Sequence, residues 1–86
     1  MTETPEIRLK RLRLRSWRRG IREMDLILGP FADTELAGLD GATLDTYEQL
    51  LEENDWDVYY WVTGARETPG PYAPLIRRLG LFHNFG

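Results

Sequence analysis

An all-α fold, a compact single-domain bundle of about five short helices, is predicted by three observations on this chain of 86 residues. Helix-start chemistry recurs at Thr4-Pro5-Glu6, at Asp40 and at Asp55. Apolar residues follow each start at three- and four-residue spacing, the period of a helix with one buried face. No two segments alternate convincingly as paired strands, and no internal repeat is present.

The first helix begins where Thr4 supplies a capping hydroxyl, Pro5 a preset φ and Glu6 an acid at the positive end of the dipole. Ile7, Leu14, Trp17 and Ile21 share one face, with Leu9 and Leu12 elsewhere. Arg-Leu-Arg-Leu at 11–14 also has strand periodicity, but cap, length and Leu content favour helix. Gly20 weakens or breaks it. Ile21, Met24, Leu28 and Phe31 form a second helix, expected to end or kink at Gly29-Pro30, where proline removes a backbone donor. Asp40 caps a third, with Leu44, Tyr47 and Leu51 on one face and Leu50 beside it. Asp55 caps a fourth, Trp56 to Thr63, closed by Gly64 in a left-handed conformation. Residues 58–62 are apolar almost all round, which places this helix at the centre of the core or partly in an interface. Residues 66–74 read as a Pro/Gly-rich loop. A final helix runs from Leu75 to Leu79, carries Ile76 and stops at Gly80; residues 1–5 and 81–86 are expected to be flexible.

A chain of this size holds one core. It has no cysteine, so neither a disulfide framework nor a zinc–thiolate site can staple it, and the fold must rest on its apolar and aromatic residues. No stretch approaches the roughly 18–20 apolar residues of a membrane span. The basic N-terminal region lacks the apolar run of a secretory signal, and its arginines interleave with leucines rather than serines. These features fit a bacterial cytoplasmic protein or the mature form of a mitochondrial matrix protein, without membrane insertion and monomeric.

Charge is divided sharply. Residues 6–22 hold eight Arg/Lys against one acid, whereas residues 23–67 hold twelve Asp/Glu against one Arg; the net charge of −3 hides this. Arg18-Arg19-Gly20-Ile21-Arg22-Glu23 sits at the seam. A glycine flanked by arginines, with Glu23 three residues on, suggests backbone that another group must approach closely, a binding feature more than a catalytic one. The arginine run admits three readings: a solvated face paired with the chain's own acids, a protein-docking surface, or a face that tracks nucleic-acid phosphates. The acidic pI of about 5.1 and the lack of a recognition helix or base-stacking sheet disfavour the last.

Catalytic and metal chemistry find little support. Glu48, Glu52, Glu53, Asp55 and Asp57 lack the alternation and central glycine of a calcium loop, and Asp55 and Asp57 are better explained as cap and first-turn acid. His83 is the only histidine, has no orienting acid nearby in sequence, and no cysteine is available as a nucleophile. Phosphate-loop glycine patterns are missing. No enzyme is indicated.

Two blocks carry a resemblance. Arg18-Arg19-Gly20-Ile21-Arg22-Glu23-Met24-Asp25-Leu26-Ile27-Leu28 resembles an Arg-Gly-x-x-Glu signature followed by an apolar helix. Leu50-Leu51-Glu52-Glu53-Asn54-Asp55-Trp56-Asp57-Val58-Tyr59-Tyr60-Trp61 is similar to a Leu-Leu-Glu block with a later Asp and Trp, matched by Asp57 and Trp61. Together they resemble the succinate dehydrogenase flavinylation factors, the SdhE-like FAD assembly factors, over most of residues 7–80. The resemblance implies five helices and an assembly chaperone that binds the flavoprotein subunit of succinate dehydrogenase, or of fumarate reductase. It also implies that covalent FAD attachment is promoted on a client histidine, so that FAD belongs to the client and this chain needs no cofactor. Arg19, Gly20 and Glu23 match the signature, and Arg18 and Arg22 flank it. Asp57 and Trp61 carry over too, although capping and core packing explain them equally well. Under this reading Arg19 forks onto a carboxylate or carbonyl, Glu23 orients it or pairs across the interface, and docking aligns the client's histidine with its flavin. The alternative function is a different small interaction domain, antitoxin-like or nucleic-acid-associated, using the basic helix.

Overall fold

Thr4 Oγ1 accepts the backbone N–H of Ile7 at 3.2 Å, and behind this cap the first helix, α1, runs Pro5–Ser16. It is followed by α2 (Arg22–Glu35), a 3-10 turn (Leu36–Gly38), α3 (Gly41–Leu50), α4 (Asp55–Thr63), a second 3-10 turn (Gly70–Tyr72) and α5 (Ala73–Phe82). This computed structural model describes residues 3–84, and no strand occurs among the described residues. Asp40 caps α3 as its sequence context predicts, its Oδ1 accepting Thr43 N–H at 2.7 Å. Gly64 closes α4 at φ 84°, a left-handed conformation that glycine adopts without a Cβ penalty.

Every helix feeds one core, with Leu12, Phe31, Tyr47, Val58 and Leu79 each fully buried from a different element. Phe31 is central: it stacks on Tyr47 at 5.9 Å and meets Phe82 edge-on at 5.5 Å. Such pairs contribute ~0.5–1.5 kcal/mol beyond the area they bury. One polar link crosses the core, where buried Ser16 Oγ donates to Leu12 O at 2.7 Å and accepts from Tyr47 Oη at 2.6 Å. Burial pushes the Tyr47 phenol up to about 12, so it stays a donor at any physiological pH.

Three boundaries differ from the sequence expectation. Helix α1 stops at Ser16, four residues before Gly20, and the chain crosses to α2 through Trp17–Ile21. Helix α2 does not end at Gly29-Pro30 but continues to Glu35. An interior proline costs ~3 kcal/mol, yet the turn beyond it buries Phe31 and Leu36, each worth ~1.5–3 kcal/mol. Leu26, whose carbonyl loses its donor to the proline, is 52% exposed, so water can take the bond. Gly29 is a notch, since a Cβ there would run into the Trp17 ring. Likewise α5 passes through Gly80 to Phe82, because Phe82 reaches Phe31 and His83 Nε2 donates to Ile27 O at 2.6 Å. Residues 1, 2, 85 and 86 of the expected flexible ends lie outside the described residues.

The basic and acidic halves face each other along α1 and α3. Arg8, Arg11 and Arg15 lie on one side of α1 at three- and four-residue spacing. Glu48 takes Arg8 at 2.9 Å on one oxygen and Arg11 at 2.9 Å on the other. Asp45 adds a second contact to Arg8 at 2.7 Å, Glu3 one to Arg11 at 2.8 Å, and Glu52 pairs with Arg15 at 2.8 Å. Desolvation pushes the Glu48 carboxyl up, but hydrogen bonds from Arg11 and Arg8 outweigh it and hold the group below the ordinary carboxylate range.

A depressed carboxyl contributes stability that is present above its unfolded pKa, near 4.5 for Glu48, and lost as pH falls through the lower folded value. Urea denaturation from pH 6 down to pH 3, values that bracket the ordinary carboxylate range of about 4, should therefore show stability falling below the unfolded pKa. Glu48→Gln should be less stable at the upper end and show a shallower acid slope. Parallel slopes for the two proteins would contradict the assignment.

Candidate partner-binding site

The Arg-Gly segment at the charge seam is the connection between α1 and α2, and it is held from across the fold. Arg19 points inward, with its side chain only 10% exposed. Its Nε donates to Asp55 Oδ1 at 2.7 Å, Nη1 to Leu51 O at 2.5 Å and Nη2 to Glu53 O at 3.0 Å. The two carbonyls belong to the turn after α3, where a helix end concentrates unpaired acceptors and partial negative charge. A planar guanidinium reaches one carboxylate and two carbonyls at once, which the point charge of a lysine cannot reproduce. The backbone N–H of Arg19 is taken by Asp25 Oδ1 at 2.6 Å.

Asp55 holds the next residue as well. Its Oδ2 accepts the backbone N–H of Gly20 at 2.6 Å, so one carboxylate grips two consecutive residues. A Cβ on Gly20 would stand 2.9 Å from that oxygen, and the oxygen cannot retreat without breaking its bond to Gly20. The close approach that the glycine allows is thus made by the chain's own Asp55. Asp55 is free to do this because it does not cap α4. The cap is Asn54, whose Oδ1 accepts Trp56 N–H at 2.9 Å, a correction of one residue to the sequence assignment.

Around this lock the other signature residues face outward. Arg18, Arg22 and Glu23 are exposed, and none makes an ion pair or side-chain hydrogen bond among the described residues. Glu23 lies in the first turn of α2, where its charge suits the helix dipole. Of the two roles its spacing allowed, orienting Arg19 is not the one seen; Asp25 and Asp55 do that. Gly20 is itself exposed, so the lock presents an open stretch of backbone with Arg18, Arg22 and Glu23 beside it.

Asp57 and Trp61 stand apart on α4. Asp57 lies 4.0 Å from Arg66 Nη1, whose guanidinium also sits over the Tyr60 ring at 4.9 Å. Trp61 stacks on Tyr72 at 5.7 Å, and Tyr72 Oη donates to Glu53 Oε2 at 2.7 Å. Because Glu53 O also receives Arg19, Trp61 is linked to the lock through Tyr72 and Glu53. Burial and the bond to Glu53 push the Tyr72 phenol up to about 12. Sequence reasoning missed Asp25, Asn54, Glu53 and Tyr72. Only the Asn54-Asp55 pair left a trace, as two adjacent residues either of which can cap.

The lock carries a stability prediction. Removing one partner of a largely buried pair costs ~3–5 kcal/mol, a large share of the ~5–15 kcal/mol typical of whole domains. Arg19→Ala and Asp55→Ala should each lower urea-unfolding stability by that order, and Arg19→Lys should recover only part of it. Gly20→Ala, by overpacking against Asp55, should cost ~1–3 kcal/mol. An Arg19→Ala variant within about 0.5 kcal/mol of wild type, as for ordinary surface residues, would show that the pair does not hold the fold.

No helix among the described residues is long and apolar enough to cross a membrane. The profile of the Sdh5 family, described as the flavinator of succinate dehydrogenase, matches residues 10–83. The chain is 51% identical over 61 residues to succinate dehydrogenase assembly factor 2, mitochondrial, of Meyerozyma guilliermondii, covering 71% of this chain and 45% of that one. It is 45% identical over 67 residues to the Schizosaccharomyces pombe protein of the same name, covering 78% and 48%. To assembly factor 2-B of Drosophila mojavensis it is 39% identical over 83 residues, covering 94% and 53%. The chain thus spans about half the length of these curated relatives. The match takes in α1 from residue 10 onward, the Arg19–Gly20 lock, α2 and the α3–α4 turn that holds the lock, and on that extent the chain belongs to the Sdh5 family, the flavinators of succinate dehydrogenase.

Proposed function

We propose that this chain is an assembly factor of succinate dehydrogenase that docks on the flavoprotein subunit and promotes covalent attachment of FAD to it. Fumarate reductase, whose flavoprotein subunit is of the same kind, is the other client the signature fits. The observation that carries the reading is the division of labour in the Arg-Gly-x-x-Glu segment. Arg19 is consumed internally and the Gly20 N–H is held by Asp55, while Arg18, Arg22 and Glu23 are exposed with no ion pair or side-chain hydrogen bond among the described residues.

Such a surface binds rather than reacts. Gly20 lets a partner backbone come close on its open side, Glu23 accepts donors, and Arg18 and Arg22 donate to carboxylates or carbonyls. A rigid surface of this kind favours whichever client conformation fits it, and a client conformation with its histidine aligned to bound flavin would react faster through positioning alone. In this reading the chain is no enzyme, holds no cofactor, and works as a monomer in the bacterial cytoplasm or the mitochondrial matrix, the second in line with the mitochondrial relatives. The nucleic-acid alternative is weakened because Arg8, Arg11, Arg15 and Arg19 are already paired within the fold.

Glu23→Ala and Arg22→Ala test this directly. A charge-assisted hydrogen bond is worth ~1.5–3 kcal/mol, so at limiting concentration each variant should slow flavinylation about tenfold or more. Melting temperatures should be almost unchanged, as exposed charges contribute little to folding. The readout is covalent flavin fluorescence of the purified flavoprotein subunit after denaturing electrophoresis. Wild-type rates in both variants would reject the surface.

A further inference from the structure

Helix α1 has three faces, and two of them are spent inside the fold. Leu12 and Ser16 enter the core, and Arg8, Arg11 and Arg15 pair with acids. The third face carries Ile7, Lys10, Leu14 and Trp17 at intervals of three and four residues, so they form one stripe along the helix. Ile7 is 57%, Leu14 51% and Trp17 40% exposed. Lys10 lies within the stripe, and Arg13 and Arg18 flank it; none of the three makes an ion pair or side-chain hydrogen bond among the described residues.

The stripe continues onto α2. The Trp17 ring packs on Gly29, and its Nε1 donates to Asp33 Oδ2 at 3.1 Å, which fixes the indole in place. Exposed Leu26 lies one turn before Gly29, and unpaired Arg22 about one turn before Leu26. The chain has acids in excess between residues 23 and 67, yet four cations on this side go unmatched while those on the opposite side of α1 are matched. Rigid aromatic and aliphatic anchors among uncompensated cations are the makings of an interface for an anionic partner.

We propose that this outward face of α1 and the start of α2 form the second half of the docking surface, and that it takes an acidic segment of the flavoprotein subunit bearing apolar side chains. The inference rests on the functional reading above and extends its site. Continuity supports it: Arg18 ends the α1 face and Arg22 begins the α2 face, with Gly20 between them. An anionic bilayer fits less well, because Lys10 interrupts the apolar stripe at its middle and α1 has only 12 residues.

The test uses purified flavoprotein subunit and three variants: Lys10→Glu with Arg13→Glu, Leu14→Ser, and Glu23→Ala. Charge reversal should lower the association rate about tenfold at low salt, a difference that shrinks as salt screens the charges. Leu14→Ser should raise the dissociation rate about tenfold, since it removes a buried anchor at the interface. Both proteins should melt like wild type. If wild type binds, Glu23→Ala binds weakly and the two α1 variants match wild type, this inference falls and the functional reading stands. If wild type itself does not bind the subunit, both fall. If the α1 variants lose binding only to phosphatidylglycerol vesicles, the face belongs to a membrane and the proposal is overturned.

Discussion

The carboxylate of Asp55 is where the chain's separate parts become one structure. One oxygen takes the Arg19 side chain and the other takes the Gly20 backbone, at 2.7 and 2.6 Å, so the α1–α2 connection is fixed to the start of α4. Arg19 extends the hold to the carbonyls of Leu51 and Glu53 after α3. Four helices are thereby referred to one residue pair. The pair has little contact with water, with Arg19 10% and Asp55 15% exposed. Its value lies in geometry as much as energy, since a buried ion pair gains little over well-packed apolar groups while a broken one costs several kcal/mol.

The sharp partition of charge along the sequence has a structural counterpart. One side of α1 sends Arg8, Arg11 and Arg15 to acids on and around α3 and at residue 3, which sets the register of the two helices. These partly exposed pairs contribute only modestly to stability. Another side leaves Lys10 and Arg13 without an ion pair among the described residues, beside exposed Ile7 and Leu14. The two charged sides of one helix thus differ: one is spent on the fold, and the other is the face on which the docking proposal rests.

Much of the fold was legible because its causes are local. Thr4, Asp40 and Gly64 act within a few residues of themselves, and each does what its type and context predict. Pro30 and Gly80 misled because their local cost is outweighed by burial beyond them, of Phe31 and Leu36 in one case and contact of Phe82 with Phe31 in the other. At the site, the one-residue difference between Asp55 and Asn54 as cap has a large consequence. As a cap, Asp55 would have been occupied within α4; displaced from that duty, it bonds a residue 35 positions away. No spacing pattern reports a pairing at that distance. The same blindness hid Glu53 and Tyr72, which matter only because the turn after α3 lies against Arg19. The glycine's need for a close neighbour was readable; the neighbour's identity was not.

Hydrogen exchange at the Gly20 amide tests the central claim most directly. This N–H sits on an exposed residue, and Asp55 Oδ2 is its hydrogen-bond acceptor among the described residues. If the lock is built into the free fold, the amide should exchange through an opening nearly as costly as that of core amides in α2, and Asp55→Ala should abolish the protection. An amide that exchanges at the unprotected rate in the free protein, and slows only when the flavoprotein subunit is added, would mean that the partner rather than Asp55 completes the site.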